Sequence, residues 1–336
     1  MARPWCCPID PPPDTRNAPM IRRLAIMILL MLPVAATAQD FPRRIDHALG
    51  TTQVPARPTR IVTIGYHEQD FLYALGIAPV GVHEWFGARP YATWIWADQA
   101  RQALGGRPCV QKGYEVDVEW VFLQKPDLII ASFYNLDPAT YAQLSRIAPV
   151  IGAPDGYPAW GAPWQAELRL IAQATGREAK AEAVISGIEG QIRDLAQANP
   201  AFHGQSATIG YFAADHFVGY RRDGGGNELL AQLGLQTPEI FDGLVQANGQ
   251  FSVSPERLDL FEADAVVWLV DAQTAAHIRA MPAYGLTRLA REGRSIWVDE
   301  DLQGALSFMT PLSIPYALER LTPLLRTALD GDPATR

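Results

Sequence analysis

One phrase occurs twice in this chain, and it dictates a molecule built from two similar halves. Glu119-Trp120-Val121-Phe122-Leu123-Gln124-Lys125-Pro126-Asp127 runs into an apolar stretch over residues 128–131, and Glu256-Arg257-Leu258-Asp259-Leu260-Phe261-Glu262-Ala263-Asp264 runs into another over 265–269. Each copy reads as a short amphipathic helix opened by a glutamate, with an acidic residue eight positions on that introduces a buried strand. A matched glutamate on each of two lobes suggests two equivalent contacts to one two-fold partner.

At 336 residues the chain exceeds one ordinary core and suits two domains. Its composition, 48% hydrophobic and 19% charged, is that of a globular protein. The formal net charge of -8 and the absence of a basic stripe argue against nucleic acid, whose binding rests on clustered lysine and arginine. Arg22-Arg23, an apolar run over residues 24–32 and the small residues Ala36-Thr37-Ala38 read as an export signal cleaved near Gln39. The run is short for a membrane span, and no later segment approaches about 20 apolar residues. No cysteine follows the cleavage site for lipid attachment, and Met20 is an alternative start after a Pro-rich leader. Adjacent arginines also leave a twin-arginine signal open. Cys109 is the only cysteine after the signal, so no internal disulfide forms, and it reads as a packed small side chain.

Residues 40–58 read as an irregular arm. Strand, helix and strand follow at 60–65, 68–75 and 79–82, a βαβ unit in a parallel sheet. Helices at 117–124 and 138–147 and strands at 128–132 and 150–151 complete the first half. Residues 163–199 show no strand signal: one helix spans 164–175, stopped by Gly176, and a second spans 177–198. In the second, Ala181, Ile185, Ile188, Ile192 and Leu195 recur at steps of three and four, marking one buried stripe. At 1.5 Å per residue that helix is about 30 Å long, enough to join two lobes as a strut. Strands at 207–212, 265–270 and 295–298 and helices at 228–233 and 312–329 make the second half. The division is therefore leader and signal over 1–38, an N-terminal α/β lobe over 39–162, a helical linker over 163–203 and a C-terminal α/β lobe over 204–336.

His67-Glu68-Gln69-Asp70-Phe71 starts like a zinc-protease helix, but Phe71 stands where the second histidine is required. Six scattered histidines offer no metal site, although His67 and His83 suit a cleft wall. Asp223-Gly224-Gly225-Gly226-Asn227 resembles a phosphate cradle yet lacks the lysine and hydroxyl of a nucleotide loop, and reads as a turn capping a helix at Asn227. No nucleophile elbow occurs, so catalytic residues, cofactor and protein-bound metal are all expected to be none. Trp85, Phe86, Tyr91, Trp94 and Trp96 crowd a Gly- and Pro-punctuated segment after the second strand, where a parallel sheet presents ligand-binding loops. Aromatic walls hold large, partly apolar ligands at small entropic cost. Arg89, Lys112, Arg221 and Arg222 are placed to meet an anionic ligand.

In its order of motifs the chain resembles the helical-backbone solute-binding proteins of bacterial ABC importers, the group that binds ferric siderophores and cobalamin. The resemblance runs from Arg60-Ile61-Val62 through the segment 74–82, Lys125-Pro126-Asp127, the helix junction over 172–178 and Ser254-Pro255-Glu256-Arg257-Leu258. It implies the class III periplasmic binding protein fold: an α/β architecture of two Rossmann-like lobes with parallel-rich sheets, joined by one long α-helix. It also implies a periplasmic monomer, not membrane-spanning after processing, that carries a ferric siderophore complex to an inner-membrane ABC permease dimer. Glu119 and Glu256 become the permease-docking pair. Trp94, Lys112, Tyr114 and Tyr134 are similar to the first-lobe ligand wall of the ferric hydroxamate branch, with the branch's basic side chain falling near Lys112. Phe217, Tyr220 and Arg221 take the corresponding place in the second lobe, and Phe308 adds to it. With Trp85, Tyr91 and Trp96, these are the expected ligand-binding residues. Cobalamin or haem is the alternative cargo; an exported enzyme using the cleft is the alternative class.

Overall fold

The structure, a computed structural model, describes residues 41–158, 160–330, 332 and 334. The leader, export signal and cleavage site expected over residues 1–38 lie outside the described residues. The chain enters as a hairpin of β1 (Arg43–His47) and β2 (Gly50–Val54), paired antiparallel. This corrects the irregular arm expected there. Ile45, His47, Thr52 and Val54 face inward while Arg44, Asp46 and Gln53 face solvent, and the polar outer face hides a true alternation. Thr52 Oγ donates to the Val150 carbonyl at 2.7 Å, fixing the hairpin to the first lobe.

The first lobe holds a five-stranded, wholly parallel sheet. Its strands are β3 (Ile61–Thr63), β4 (Gly81–His83), β5 (Cys109–Gln111), β6 (Leu128–Ile130) and β7 (Val150–Ile151), in the order β5-β4-β3-β6-β7. The chain moves outward from β3 through β4 to β5, then crosses to β6 and β7 on the other side. The order therefore reverses between β3 and β6, and loops at such a switch point part to leave a crevice. Strand β5 and the helix Ile95–Ala103 were not legible in the sequence, because Cys109–Gln111 is a short, half-polar run.

The second lobe repeats the plan with one variation. Strands β8 (Ala207–Ala213), β11 (Ala265–Trp268) and β12 (Ser295–Trp297) are parallel, while β9 (His216–Tyr220) pairs antiparallel with both β8 and β10 (Gln250–Val253). The order is β10-β9-β8-β11-β12. The hairpin β8–β9 turns at Ala214 and Asp215, both at positive φ. Its strands gave no separate sequence signal beyond residue 213.

Between the sheets runs the helix Glu178–Ala198, 21 residues long, with Ala181, Ile185, Ile188 and Ile192 buried and Leu195 partly buried, the stripe read from the sequence. One core cluster contains this stripe together with Ile61 and Ile130 of the first sheet and Ile209 and Val267 of the second. Apolar burial therefore ties both lobes to the strut, at roughly 25 cal/mol per Å² removed from water.

The duplicated phrase has a structural meaning in both lobes. Asp127 accepts hydrogen bonds from Thr59 N, Thr59 Oγ and Arg60 N, all at 2.8 Å, so it holds the chain entering β3 beside the chain entering β6. Asp264 accepts from Ser206 N and Ser206 Oγ, both at 2.9 Å, and does the same for β8 and β11. The helices that open the phrase differ. Val118–Leu123 is α-helical, N-capped by Asp117, whereas Pro255–Phe261 is a 3-10 segment broken at Arg257. Leu258 and Phe261, three apart, are both buried there, the spacing that a three-residue turn puts on one face. Asp264 also faces Arg294, 3.1 Å away, and lies partly buried. Asp264→Ala should consequently cost about 2 kcal/mol, against about 1 kcal/mol for the more exposed Asp127→Ala, read as shifts in urea midpoint.

Candidate ligand-binding cleft

A cleft of about 820 Å³ opens between the lobes, near the top of the range for small-molecule sites. On the first lobe it is walled by the loops that leave β3, β4 and β6, which supply Tyr66 and His67, then Trp85, then Phe133. These are C-terminal strand ends at and beside the switch point. Tyr66 stacks on Trp85 at 5.8 Å, and Trp85 meets Phe133 at 5.8 Å. The opposite wall comes from the end of β9 and the start of β10, with Tyr220, Arg221 and Gln250. Gly225 is required there: a Cβ would lie 2.1 Å from the Tyr220 ring, and its φ is +58°. A third side is formed by Tyr157, Pro158 and residues 160–164 with Glu167; Tyr157 and Trp160 are about half exposed at 45% and 54%.

The cleft floor is a buried polar cluster. His67 is 4% exposed and Glu167 2%. His67 Nδ1–H donates to the Phe308 carbonyl at 2.8 Å and Nε2–H donates to the Glu167 carboxylate at 3.1 Å, so the ring needs both protons. Burial opposes its charge, but the Glu167 carboxylate overcomes this and raises the His67 pKa. Ser132 Oγ donates to Glu167 at 2.6 Å. Glu68 folds back beneath the loop to accept from Phe133 N at 2.9 Å, and burial raises its pKa. Only glycine at 65 allows this, since a Cβ there would stand 1.8 Å from the Glu68 carboxyl oxygen. The buried Asp70 Oδ2 accepts from Trp96 Nε1 at 2.7 Å and from Thr310 Oγ at 2.8 Å. The abortive zinc-protease sequence is thus a polar keystone under the cleft.

Of the residues expected from the sequence, Trp85, Tyr220, Arg221 and Phe308 reach the lining. Tyr114 and Tyr134 are not in the lining; they pack against Tyr66 from outside it, with ring centroids 6.5 and 5.6 Å away. Trp94 does not reach the cleft: it is 1% exposed and stacked on Trp96 at 5.0 Å, and together they form the socket behind Phe308. Phe217 belongs to the second-lobe core with Phe261 and Trp268, because its position on β9 points it away from the cleft. Tyr91 lies outside the lining, under the Arg101 guanidinium at 4.5 Å. Lys112 is also outside, 73% exposed and 3.8 Å from Glu84. Arg89 is engaged by Asp301 at 2.9 Å and Arg222 by Asp242 at 2.5 Å. His83 is buried, bonding the carbonyls of Ile64 and Gly113 rather than facing the cleft. Asn227 does not cap its helix; it is buried and its Oδ1 accepts from Ile209 N at 2.9 Å. Sequence reasoning missed Tyr66, Phe133, Tyr157, Trp160 and Glu167. For Tyr66 and Phe133 the usable signal was their position just after β3 and β6, the rule applied only to β4; Glu167 sits inside the helix Trp164–Thr175, where that rule gives no signal.

Glu119 and Glu256 are both exposed, each in the first turn of the helical segment that follows an outer strand, β5 or β10, running parallel to its lobe's first strand. Both therefore sit on the C-terminal edges of the sheets, the edges that also carry the cleft. Ser254 donates to Glu256 and holds its carboxyl below the usual range. Among the described residues no three His, Cys, Asp or Glu side chains converge to hold a metal ion, and no helix is long and apolar enough to cross a membrane.

Comparison with known proteins agrees with this geometry. The family described as periplasmic binding protein matches residues 61–302. A probable siderophore-binding lipoprotein of Bacillus subtilis (strain 168), YfiY, is 31% identical over 199 residues, 59% of this chain and 58% of that one. The chain thus spans little over half the length of that relative. The ferric enterobactin-binding periplasmic protein FepB of Escherichia coli O6:H1 is 29% identical over 70% of this chain and 75% of its own. Among solved structures, a periplasmic solute binding protein from Mycobacterium smegmatis superposes with a TM-score of 0.76 at 30% identity, covering 85% of this chain and 98% of that one. Streptococcus pneumoniae PiaA, solved with ferrichrome, shares the fold with a TM-score of 0.75 at 24% identity, covering 86% and 99%.

The buried acids give the protein a defined pH response. Burial pushes Asp70 up to about 6 from its ordinary 3.8, against the hydrogen bonds of Trp96 and Thr310. The folded protein then holds this proton where the unfolded chain has lost it, so stability falls as pH rises from about 4 to 6. His67 acts with the same sign at higher pH, its contribution complete below 6.5 and lost as pH rises through its raised value. Asp70→Asn should remove the first of these losses, on the order of 3 kcal/mol, measured as urea midpoints across that window.

Proposed function

The chain belongs to the periplasmic binding protein family, and we propose that it captures a ferric siderophore between its lobes and delivers it to an inner-membrane ABC permease. The observation that carries this reading is the aromatic cleft of about 820 Å³ set between two lobes whose sheets point their ligand-binding edges at it. Ferric iron arrives already wrapped in the chelator's oxygens. The protein then contributes shape, ring contact and a few hydrogen bonds instead of metal ligands. Siderophore-binding relatives such as YfiY and FepB support the same cargo.

In this reading the export signal over residues 1–38 is removed near Gln39, and the mature chain acts in the periplasm as a monomer. The lobes run over 39–162 and 204–336, with 163–203 as the helical connector. Glu119 and Glu256 dock on the permease, one from each lobe, and their exposure on the cleft-bearing edges supports that role. The long strut and the continuous core limit lobe closure to a small hinge movement.

The direct test is titration of the mature protein with ferric chelates, followed by tryptophan emission. Of the eight tryptophans that follow Gln39, Trp85, Trp160 and Trp164 line the cleft, so a bound ferric complex quenches strongly. Saturable quenching is expected, and its absence across ferric chelates would reject the proposal; chemical conversion of the ligand would point to an enzyme instead. Trp85→Ala, which opens the stack with Tyr66, should weaken binding about tenfold, corresponding to about 1.4 kcal/mol. Glu119→Ala combined with Glu256→Ala should abolish iron uptake by cells while leaving the titrated affinity unchanged. Loss of affinity in that double variant would remove the docking assignment.

A further inference from the structure

The charges facing the cleft select among ferric chelates. Arg221 and His67 are the cationic side chains on the lining among the described residues, and they meet three carboxylates, Glu167, Asp223 and Glu228. Each cation is already matched. Arg221 Nε lies 2.9 Å from Asp223 Oδ1, and His67 Nε2 lies 3.1 Å from Glu167. Glu228 remains on the wall with no ion-pair partner among the described residues, accepting a hydrogen bond from the neutral Gln232 at 3.2 Å. The basic side chains that the sequence offered as anion ligands, Arg89, Lys112 and Arg222, are held by acids outside the lining.

We propose that the cleft takes an uncharged or cationic tris-hydroxamate ferric chelate and excludes the tris-catecholate trianion. This rests on the siderophore reading above and narrows it. Three hydroxamates carry one negative charge each and neutralise the ferric ion; three catecholates carry two each and leave three negative charges in excess. A trianion entering here gives up its hydration, meets no unmatched cation and faces Glu228 and Asp223 across the cleft. A neutral complex loses little hydration and gains ring contact with Tyr66, Trp85, Tyr220 and Trp160. A cationic one gains attraction from both the rings and the carboxylates. Phenolate formation does not change the balance: burial pushes Tyr66 up to about 12 and raises Tyr220 as well, so both stay neutral.

The test is a quenching titration of the mature protein with three iron-loaded probes: ferrichrome, uncharged; ferrioxamine B, cationic; and ferric enterobactin, trianionic. Both hydroxamates are expected to bind at least about tenfold more tightly than ferric enterobactin. Asp223→Asn, which frees the Arg221 guanidinium, should narrow that ratio by about tenfold or more, mainly through tighter binding of ferric enterobactin. Added salt should weaken ferrioxamine B and leave ferrichrome nearly constant, since only the former is drawn by screened charge. Preference of the wild-type protein for ferric enterobactin overturns this inference and leaves the siderophore reading standing. Silence toward all three probes overturns both.

Discussion

Phe308 enters a socket made wholly by the other lobe, and the two-lobed arrangement depends on that insertion. Its ring centroid lies 5.3 to 5.8 Å from those of Trp85, Phe86, Trp94 and Trp96, and its own backbone carbonyl accepts a hydrogen bond from His67 Nδ1–H. Two residues on, Thr310 bonds the buried Asp70. Aromatic packing, a charge-assisted hydrogen bond and a shared acid therefore act on one short stretch of chain. Each aromatic pair contributes on the order of 1 kcal/mol beyond its burial, and the polar bonds fix the angle at which the lobes meet. Trp85 belongs to this socket and to the cleft at once, so the cleft wall and the lobe contact share one side chain.

The His67–Glu167 pair explains how a charged cluster survives under an apolar cleft. Removing two charges from water is costly, and the attraction between them offsets that only when the remaining donors and acceptors are filled. Here they are: the second ring nitrogen is used by Phe308, and the carboxylate also takes the Ser132 hydroxyl. Four elements are stitched by this arrangement: the loop after β3, the loop after β6, the helix Trp164–Thr175 and the last residue of the helix Glu300–Phe308.

Much of the frame could be read from the chain. The strut stripe from Ala181 to Ile192, the doubled phrase with Asp127 and Asp264, and the parallel strands β3, β6 and β11 all announce themselves, because continuous apolar runs and helical periodicity are local signals. The hairpin β1–β2, strand β5 and the antiparallel β9 were not legible. Each is short or half-polar, and its partner across the sheet supplies what its own residues do not. In the site the sequence named the right aromatic segment but could not sort its faces. Trp94 and Trp85 stand nine residues apart in the same cluster, yet one backs a lobe joint and the other faces the ligand space.

By itself the sequence determined the two-lobed α/β plan, the rigid connector, the exposed glutamates Glu119 and Glu256 and the aromatic character of the loops, since these rest on patterns within a few tens of residues. Tertiary structure alone decided which rings face the cleft, that Phe308 locks the lobes, and that Arg89, Lys112 and Arg222 pair with acids outside the lining. Pairings such as Asp70 with Thr310 or His67 with Glu167 join residues separated by 240 and 100 positions. Their energy exists only once burial has stripped away water and brought the partners within reach.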